Sequence, residues 1–383
     1  MQTLNAGLIG YKFMGRAHSN AFRQVNHFFD AKAKIGLKSI CGRDEESVSA
    51  AAGKFGFESY NTDWKTLIKR DDIDFVDITA PGNMHMEIAM MAAAEKKHVF
   101  CEKPLAMNAR EAKEMWIAAE AAGIRHQVGF NYRFVPAIRL AKRLIDEGKI
   151  GTIYHFRALY LQDWIVDPEF PLVWRLDKKI AGSGANGDIN AHIIDLARYL
   201  AGDIERVVGL QKTFITKRPI VEMMDGLRAT GVDSSIYGDV TVDDATLFLA
   251  EFENGALGSF ESTRFATGRK NSMSFEINGS KGSIKFEFER MNELLYYNND
   301  DPSYQRGFKL ISATESEHEY AGNWWPPGHI IGYEHTFVHE MYEFVQAIAG
   351  GSNASPDFKD GYECCRILDA IDISAAEREW VNV

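Results

Sequence analysis

Two groups of residues have types and spacings that could move protons. The first is Glu102-Lys103-Pro104, an adjacent acid and base that follow a short apolar run at 98–101. The second is Asp188 with His192, four residues apart and so on one face of a helix, with Asp195 three further on. A carboxylate beside an imidazole raises its basicity and orients it, which suits proton transfer near neutral pH. An amine can hydrogen-bond an oxygen on which negative charge develops. Pro104 has no N–H to give a sheet ladder, so it ends the strand, and an X-Pro bond makes a cis peptide accessible that can aim the lysine. Each group also has a plainer reading. Glu102 and Lys103 could form a surface ion pair, Asp188 could cap a helix, and His192 could be a satisfied core histidine. Asp188, His192 and Asp195 could also ligate a metal. The remaining histidines form no HxH or HExxH pattern, so no metal is expected.

These residues need a frame. Residues 5–10 read as a strand that leads into Gly10-Tyr11-Lys12-Phe13-Met14-Gly15 and a helix from about 16. Further strands are expected at 34–41, 58–60, 74–79, 98–101 and 125–130. Helices are expected between them at 44–55, 63–69, 84–95 and 109–122. This alternation with short connections predicts a doubly wound parallel sheet, a Rossmann domain over residues 1–130. Ligands of such sheets lie beyond the carboxyl ends of the strands, which is where Glu102 and Lys103 stand.

Gly10 and Gly15 fit the phosphate-binding turn of a dinucleotide site, the first for a tight turn, the second for close contact of helix and strand. Lys12 replaces the usual middle glycine; its side chain either brings positive charge to a phosphate or points into solvent. Cofactor contacts are expected from Gly10, Lys12, Phe13 and Met14. More are expected from Thr79, Pro81, Asn83 and His85, where a Pro-Gly turn opens a helix. The second strand ends in Cys41-Gly42-Arg43-Asp44. Gly42 leaves room where NAD-binding units often place an acid, and Arg43 can pair with a 2′-phosphate. The reading therefore leans to NADP, while Asp44 keeps NAD open; as the plain alternative, Asp44 caps the next helix.

From residue 131 the pattern changes. A helix is expected at 136–147, then strands at 152–161, 205–216, 245–253, 256–263, 272–277, 283–288 and 294–297. Helices are expected at 188–200, 334–349 and 360–379. Consecutive strands joined by turn signals at 253–255 and 278–282 predict an α/β domain over 131–383 with an open, mainly antiparallel sheet. The glycine-rich turn at 182–187 opens the helix that bears Asp188 and His192. Trp174-Arg175, Tyr132, Arg157, Trp325 and His335 are further candidates, because aromatic faces with polar groups nearby can line a sugar site.

The 383 residues suffice for two domains. A net charge of −11 without a basic block argues against nucleic acid and anionic membranes. No apolar run is long enough to cross a bilayer, and the first residues read straight into a strand rather than a signal segment. The four cysteines show no CxxC pair, which suits reduced thiols, so a cytoplasmic protein is expected. An open sheet leaves an exposed face, so a homodimer or homotetramer is expected.

Taken together, Glu102-Lys103-Pro104 after a Rossmann half and Gly182…Asp188…His192 after it resemble the glucose–fructose oxidoreductase / inositol 2-dehydrogenase / rhizopine catabolism (Gfo/Idh/MocA) family. The likeness runs from Leu4 to the last helix. Phe13–Gly15, Trp174-Arg175 and Trp325-Pro326-Pro327-Gly328-His329 look most like its levoglucosan dehydrogenase-like branch. The resemblance implies a catalytic Lys103 completed by Asp188 and His192, NAD or NADP as cofactor, and a sugar or polyol as substrate. Beside what the resemblance implies, Glu102, Trp174 and Arg175 are expected at the cofactor site, and Tyr132, Arg157, Trp325 and His335 are expected with Lys103, Asp188 and His192 around the substrate. In that scheme His192 takes the hydroxyl proton, Lys103 steadies the oxygen, and Asp188 orients a neighbouring hydroxyl or the histidine. Two other readings stay open: a nucleotide-binding sensor without turnover, and a metal-dependent lyase or hydrolase using Asp188, His192 and Asp195.

Overall fold

The computed structural model describes residues 2–220, 236–352 and 354–383. In chain order the elements are β1 (Gln2–Ile9), α1 (Phe13–Phe28), β2 (Ala33–Cys41), α2 (Glu45–Phe55), β3 (Ser59–Asn61), α3 (Trp64–Ile68), β4 (Phe75–Ile78), α4 (His85–Ala94), β5 (His98–Cys101), α5 (Ala109–Ala122) and β6 (His126–Val128). There follow α6 (Pro136–Asp146), β7 (Ile153–Leu161), α7 (Lys178–Ala181), α8 (Ala191–Ala201), β8 (Ile204–Lys212), β9 (Lys217–Pro219), β10 (Tyr237–Asp239), β11 (Ala245–Phe252) and β12 (Leu257–Thr263). The chain closes with β13 (Ser272–Gly279), β14 (Gly282–Glu287), β15 (Glu293–Asn298), β16 (Lys309–Ser312), α9 (Tyr333–Gly350), α10 (Phe358–Glu377) and β17 (Val381–Asn382).

Among the described residues, six parallel strands form the expected sheet in the order β3-β2-β1-β4-β5-β6. Winding reverses between β1 and β4, the switch point at which a crevice opens. Ile9 is in register with Ile78, and Ile78 with Cys101, so Gly10, Thr79 and Glu102 emerge side by side at one rim. β4 is wholly buried, which is why it reads as an apolar run interrupted only by Asp77. Phe344 packs edge-on against Phe75 at 5.6 Å and Phe100 at 5.5 Å, and each such buried ring contributes roughly 1.5–3 kcal/mol.

Phe344 belongs to α9, and this corrects the expected domain boundary. The chain divides into two compact units, Met1–Asn131 with Gly332–Cys365, and Tyr132–Ile331 with Arg366–Val383. Residues 332–365 therefore do not belong to the second domain. Their apolar face is needed by the first sheet, where Tyr342 of α9 also packs on Phe29 at 4.7 Å.

In the second unit, nine described strands lie in the order β16-β15-β14-β13-β7-β12-β11-β8-β17. Only β7 with β12 is parallel; the other pairs are antiparallel, as expected. β7 alternates with period two: Phe156, Ala158 and Tyr160 are buried, while Arg157 and Leu159 face the other way. The helix expected at 188–200 is in two parts. A π-helical turn, Asn186–Asn190, carries Asp188, and α8 begins only at Ala191. π turns inside helices are frequent at functional sites.

Candidate active site

The first unit builds its phosphate turn from backbone contact. Gly10 has φ +111°, and a Cβ there would stand 2.5 Å from Thr79 Oγ1 and 2.8 Å from its carbonyl oxygen. A Cβ on Gly15 would stand 2.1 Å from the Gly10 carbonyl oxygen. Both positions admit only glycine, and Thr79 Oγ1 donates to the Ile9 carbonyl at 3.0 Å, so its hydroxyl builds the turn. Lys12 and Phe13 are exposed and Met14 is half-buried at the N-terminus of α1, where unpaired N–H groups suit an anion. Pro81 and Asn83 stand in the turn before α4, half-buried and exposed respectively.

At the end of β2 the room expected at Gly42 is already filled. A Cβ there would meet Tyr11 Cε1 at 2.0 Å, so the glycine accommodates the tyrosine ring rather than a phosphate. Asp44 caps α2 by accepting from the Ser47 N–H at 2.8 Å, and bonds to Ser47 hold its carboxyl below the usual range. Arg43 beside it is exposed.

Two expected cofactor contacts turn inward instead. His85 is buried with Nε2 2.9 Å from the Ala80 carbonyl and Nδ1 3.0 Å from that of Pro104, and burial lowers its pKa. It ties the Pro-Gly turn to the Lys103-Pro104 loop. Glu102 is buried too: Oε2 accepts from the Lys103 N–H at 3.1 Å, and Oε1 lies 3.1 Å from His18 Nε2. Lys103 itself is half-buried at the rim, and its bond to Pro104 is cis.

In the second unit the glycine-rich turn is pinned by Asp243, whose carboxylate accepts from the Gly184 N–H at 2.7 Å and the Asn186 N–H at 2.8 Å. A Cβ on Gly184 would stand 1.7 Å from the Asp243 carbonyl oxygen, so backbone lies on backbone. Asn186 donates to Asp372, Asn190 to Asn186 and Ser262 to Asn190 at 2.8–3.0 Å, which locks the π turn. Asp188 on that turn accepts from Arg264 Nη2 at 2.7 Å. Arg264 is buried, with its guanidinium 5.3 Å from the Trp164 ring centroid. Arg175 lies over Trp174 at 4.3 Å; burial lowers its pKa, with Asp188 opposing and Arg264 adding to the effect.

His192 is buried against Tyr132, ring centroids 4.5 Å apart, and Tyr160 at 6.0 Å. The two phenol oxygens lie 2.6 Å apart, and Tyr160 donates onward to Asn271 Oδ1 at 2.9 Å, so Tyr132 is the donor to Tyr160. Asp195 does not join this stripe. Arg133 donates to both of its oxygens at 2.7 and 2.6 Å in a buried pair. Breaking such a pair typically costs about 3–5 kcal/mol. Among the described residues, no group of three His, Cys, Asp or Glu side chains could hold a metal ion.

Arg157 was expected at the substrate. It points to the sheet face opposite Tyr160 and donates to Asn278 Oδ1. The period-two alternation of 152–161 could have shown this, because Tyr160 shares parity with the buried Phe156 and Ala158. Trp325 is exposed. His335 Nδ1 accepts from the Gly332 N–H at 3.0 Å in the first turn of α9, and burial lowers its pKa. His18, Arg133, Tyr160, Asp243 and Arg264 are the residues that sequence reasoning missed.

Residues 4–130 match the oxidoreductase family with an NAD-binding Rossmann fold, and residues 138–285 match the GFO/IDH/MocA C-terminal domain. The levoglucosan dehydrogenase of Pseudarthrobacter phenanthrenivorans is 46% identical over 386 aligned positions, covering 100% of this chain and 99% of the relative. An oxidoreductase domain protein from Kribbella flavida is 52% identical with a TM-score of 0.95, each chain covered in full. A levoglucosan dehydrogenase solved in complex with NADH and levoglucosan is 45% identical with a TM-score of 0.94, again with both chains covered in full. The phosphate turn, Lys103 at the rim, and the π turn bearing Asp188 before His192 thus stand in a chain that belongs to the Gfo/Idh/MocA oxidoreductase family.

Proposed function

We propose that this protein oxidises a secondary hydroxyl of a sugar, anhydrosugar or polyol, or reduces the corresponding ketone, with a nicotinamide dinucleotide as partner. The observation that carries the reading is one chain holding a glycine-only phosphate turn with Lys103 at its rim, and a His192 packed on Tyr132 in the family's C-terminal domain. When bound, the nicotinamide accepts or returns the hydride. His192 takes the hydroxyl proton in oxidation and returns it in reduction. Lys103 stabilises negative charge as it develops on a substrate oxygen. Asp188, held by Arg264, orients a neighbouring hydroxyl, and Tyr132 fixes the imidazole. Trp174, Arg175, Trp325 and His335 are proposed to line the ligands. An anhydrosugar of the levoglucosan type is the proposed substrate, in keeping with the full-length relative.

NAD is the proposed cofactor. The exposed Arg43 is the one feature left favouring NADP, since Tyr11 fills the space at Gly42, and relatives bind NADH. The test is a panel of levoglucosan, free sugars and polyols with NAD and with NADP, followed by absorbance of the reduced nicotinamide. The expected result is turnover with at least tenfold higher kcat/KM for NAD, about 1.4 kcal/mol. Nucleotide binding without reduction of any cofactor would favour a sensor, and turnover that follows stoichiometric zinc or manganese would favour a metal enzyme.

The outer sheet face supports a proposal of self-association. Leu210 and Leu247 are paired in register, and with Leu249 and Leu257 they are 45–54% exposed. A homodimer or homotetramer is the expected mass by light scattering, and a monomer at micromolar concentration would refute it. No helix among the described residues is long and apolar enough to cross a membrane. Four buried cysteines suit a reducing compartment, and the cytoplasm is the proposed location.

A further inference from the structure

Beneath Glu102-Lys103-Pro104 lies a buried cluster that the proposed chemistry does not use. His18 of α1 is fully buried, with Nδ1 2.8 Å from Asp77 Oδ2 on β4 and Nε2 3.1 Å from Glu102 Oε1 after β5. Glu102 Oε2 accepts from the Lys103 N–H at 3.1 Å. Gly129 makes room for that carboxylate, since a Cβ there would stand 3.0 Å from Oε1. Phe100 and Phe337 wall the imidazole at 5.4 and 5.6 Å between ring centroids. We propose that His18, bridging Asp77 and Glu102, is a positioning residue that aims Lys103 by fixing the carboxylate to which the Lys103 backbone is tied.

The geometry sets the charge. Two ring nitrogens facing two carboxyl groups need two bridging protons, and an imidazolium supplies both; burial raises the Asp77 pKa, with the His18 charge and hydrogen bond opposing. Burial disfavours the cation, but Asp77 and Glu102 more than offset this, so the His18 pKa lies well above its ordinary value. Other titratable groups face the cluster from each neighbouring element: Cys101 on β5, His85 opening α4, and Glu340 on α9. Glu340 is fully buried, and among the described residues neither carboxylate oxygen has a hydrogen-bond partner. Burial pushes its pKa well up, with His18 opposing and Glu102 and Asp77 adding to the rise. Stability conferred by the clamp is full below the ordinary imidazole range and lost as pH rises through the higher folded value of His18.

This inference rests on the dehydrogenase reading, and its test separates the two. NMR of wild-type enzyme with isotope-labelled histidine is expected to show His18 still doubly protonated at pH 8, where an ordinary imidazole of pKa about 6.5 is neutral. A singly protonated His18 at that pH would overturn the clamp, whether or not any variant folds. His18→Gln is expected to lower kcat by about 10²-fold, the effect of a small misplacement of a reacting group, with KM for NAD within twofold. It is also expected to remove the alkaline limb of the kcat profile that follows the His18 proton. Wild-type protein that turns over no sugar would overturn the functional reading. Active wild type matched by His18→Gln in kcat and in pH profile would overturn this inference alone.

Discussion

Lys103→Met is expected to lower kcat by about 10²–10³-fold, the usual effect of removing one positioned donor from a developing oxyanion. Methionine keeps the length and apolar stem of the lysine and removes only the ammonium, so the loop should survive. The loop is braced independently of that ammonium, by His85 against the Pro104 carbonyl and by Glu102 against the Lys103 N–H. NAD affinity, read by quenching of protein fluorescence, should therefore stay within a fewfold of wild type. A variant that binds NAD and turns over sugar at a near-normal rate would remove Lys103 from the chemistry.

His192→Ala is expected to lower kcat by about 10²–10⁴-fold and to change the shape of the pH–rate profile. The sign follows from the direction of proton flow. In oxidation the base must be unprotonated, so wild-type kcat/KM should fall on the acid side as His192 takes up its proton. In the variant that limb should flatten, and activity should rise with hydroxide instead. The cavity left beside Tyr132 could also disturb the fold, so near-native melting of the variant is the control. An unchanged profile in a folded variant would show that His192 is not the proton carrier.

The sheet of the first domain was legible because each buried strand is a short apolar run and each crossover an amphipathic helix. The ownership of α9 was not. Its apolar face reads the same whichever sheet it covers, and only the rings around Phe75 and Phe100 show that it serves the first. Within the site, Gly10 and Gly15 announced themselves, because backbone contact leaves no other choice of residue. Glu102 and His85 misled because a polar residue after a strand looks the same whether it faces a ligand or a buried partner. Their partners, His18 and the Pro104 carbonyl, are 84 and 19 residues away. Asp195 misled in the same way, since helical spacing puts it near His192 but says nothing of Arg133, 62 residues upstream.

Hydride transfer from a sugar carbon is the claim on which the rest depends, and isotope tracing tests it most directly. Levoglucosan carrying deuterium on its hydroxyl-bearing carbons should be incubated with the protein and NAD, and the reduced cofactor examined by NMR. Deuterium on the nicotinamide ring is the expected result; reduced cofactor without it, or no reduced cofactor from this or any other sugar, would contradict the account.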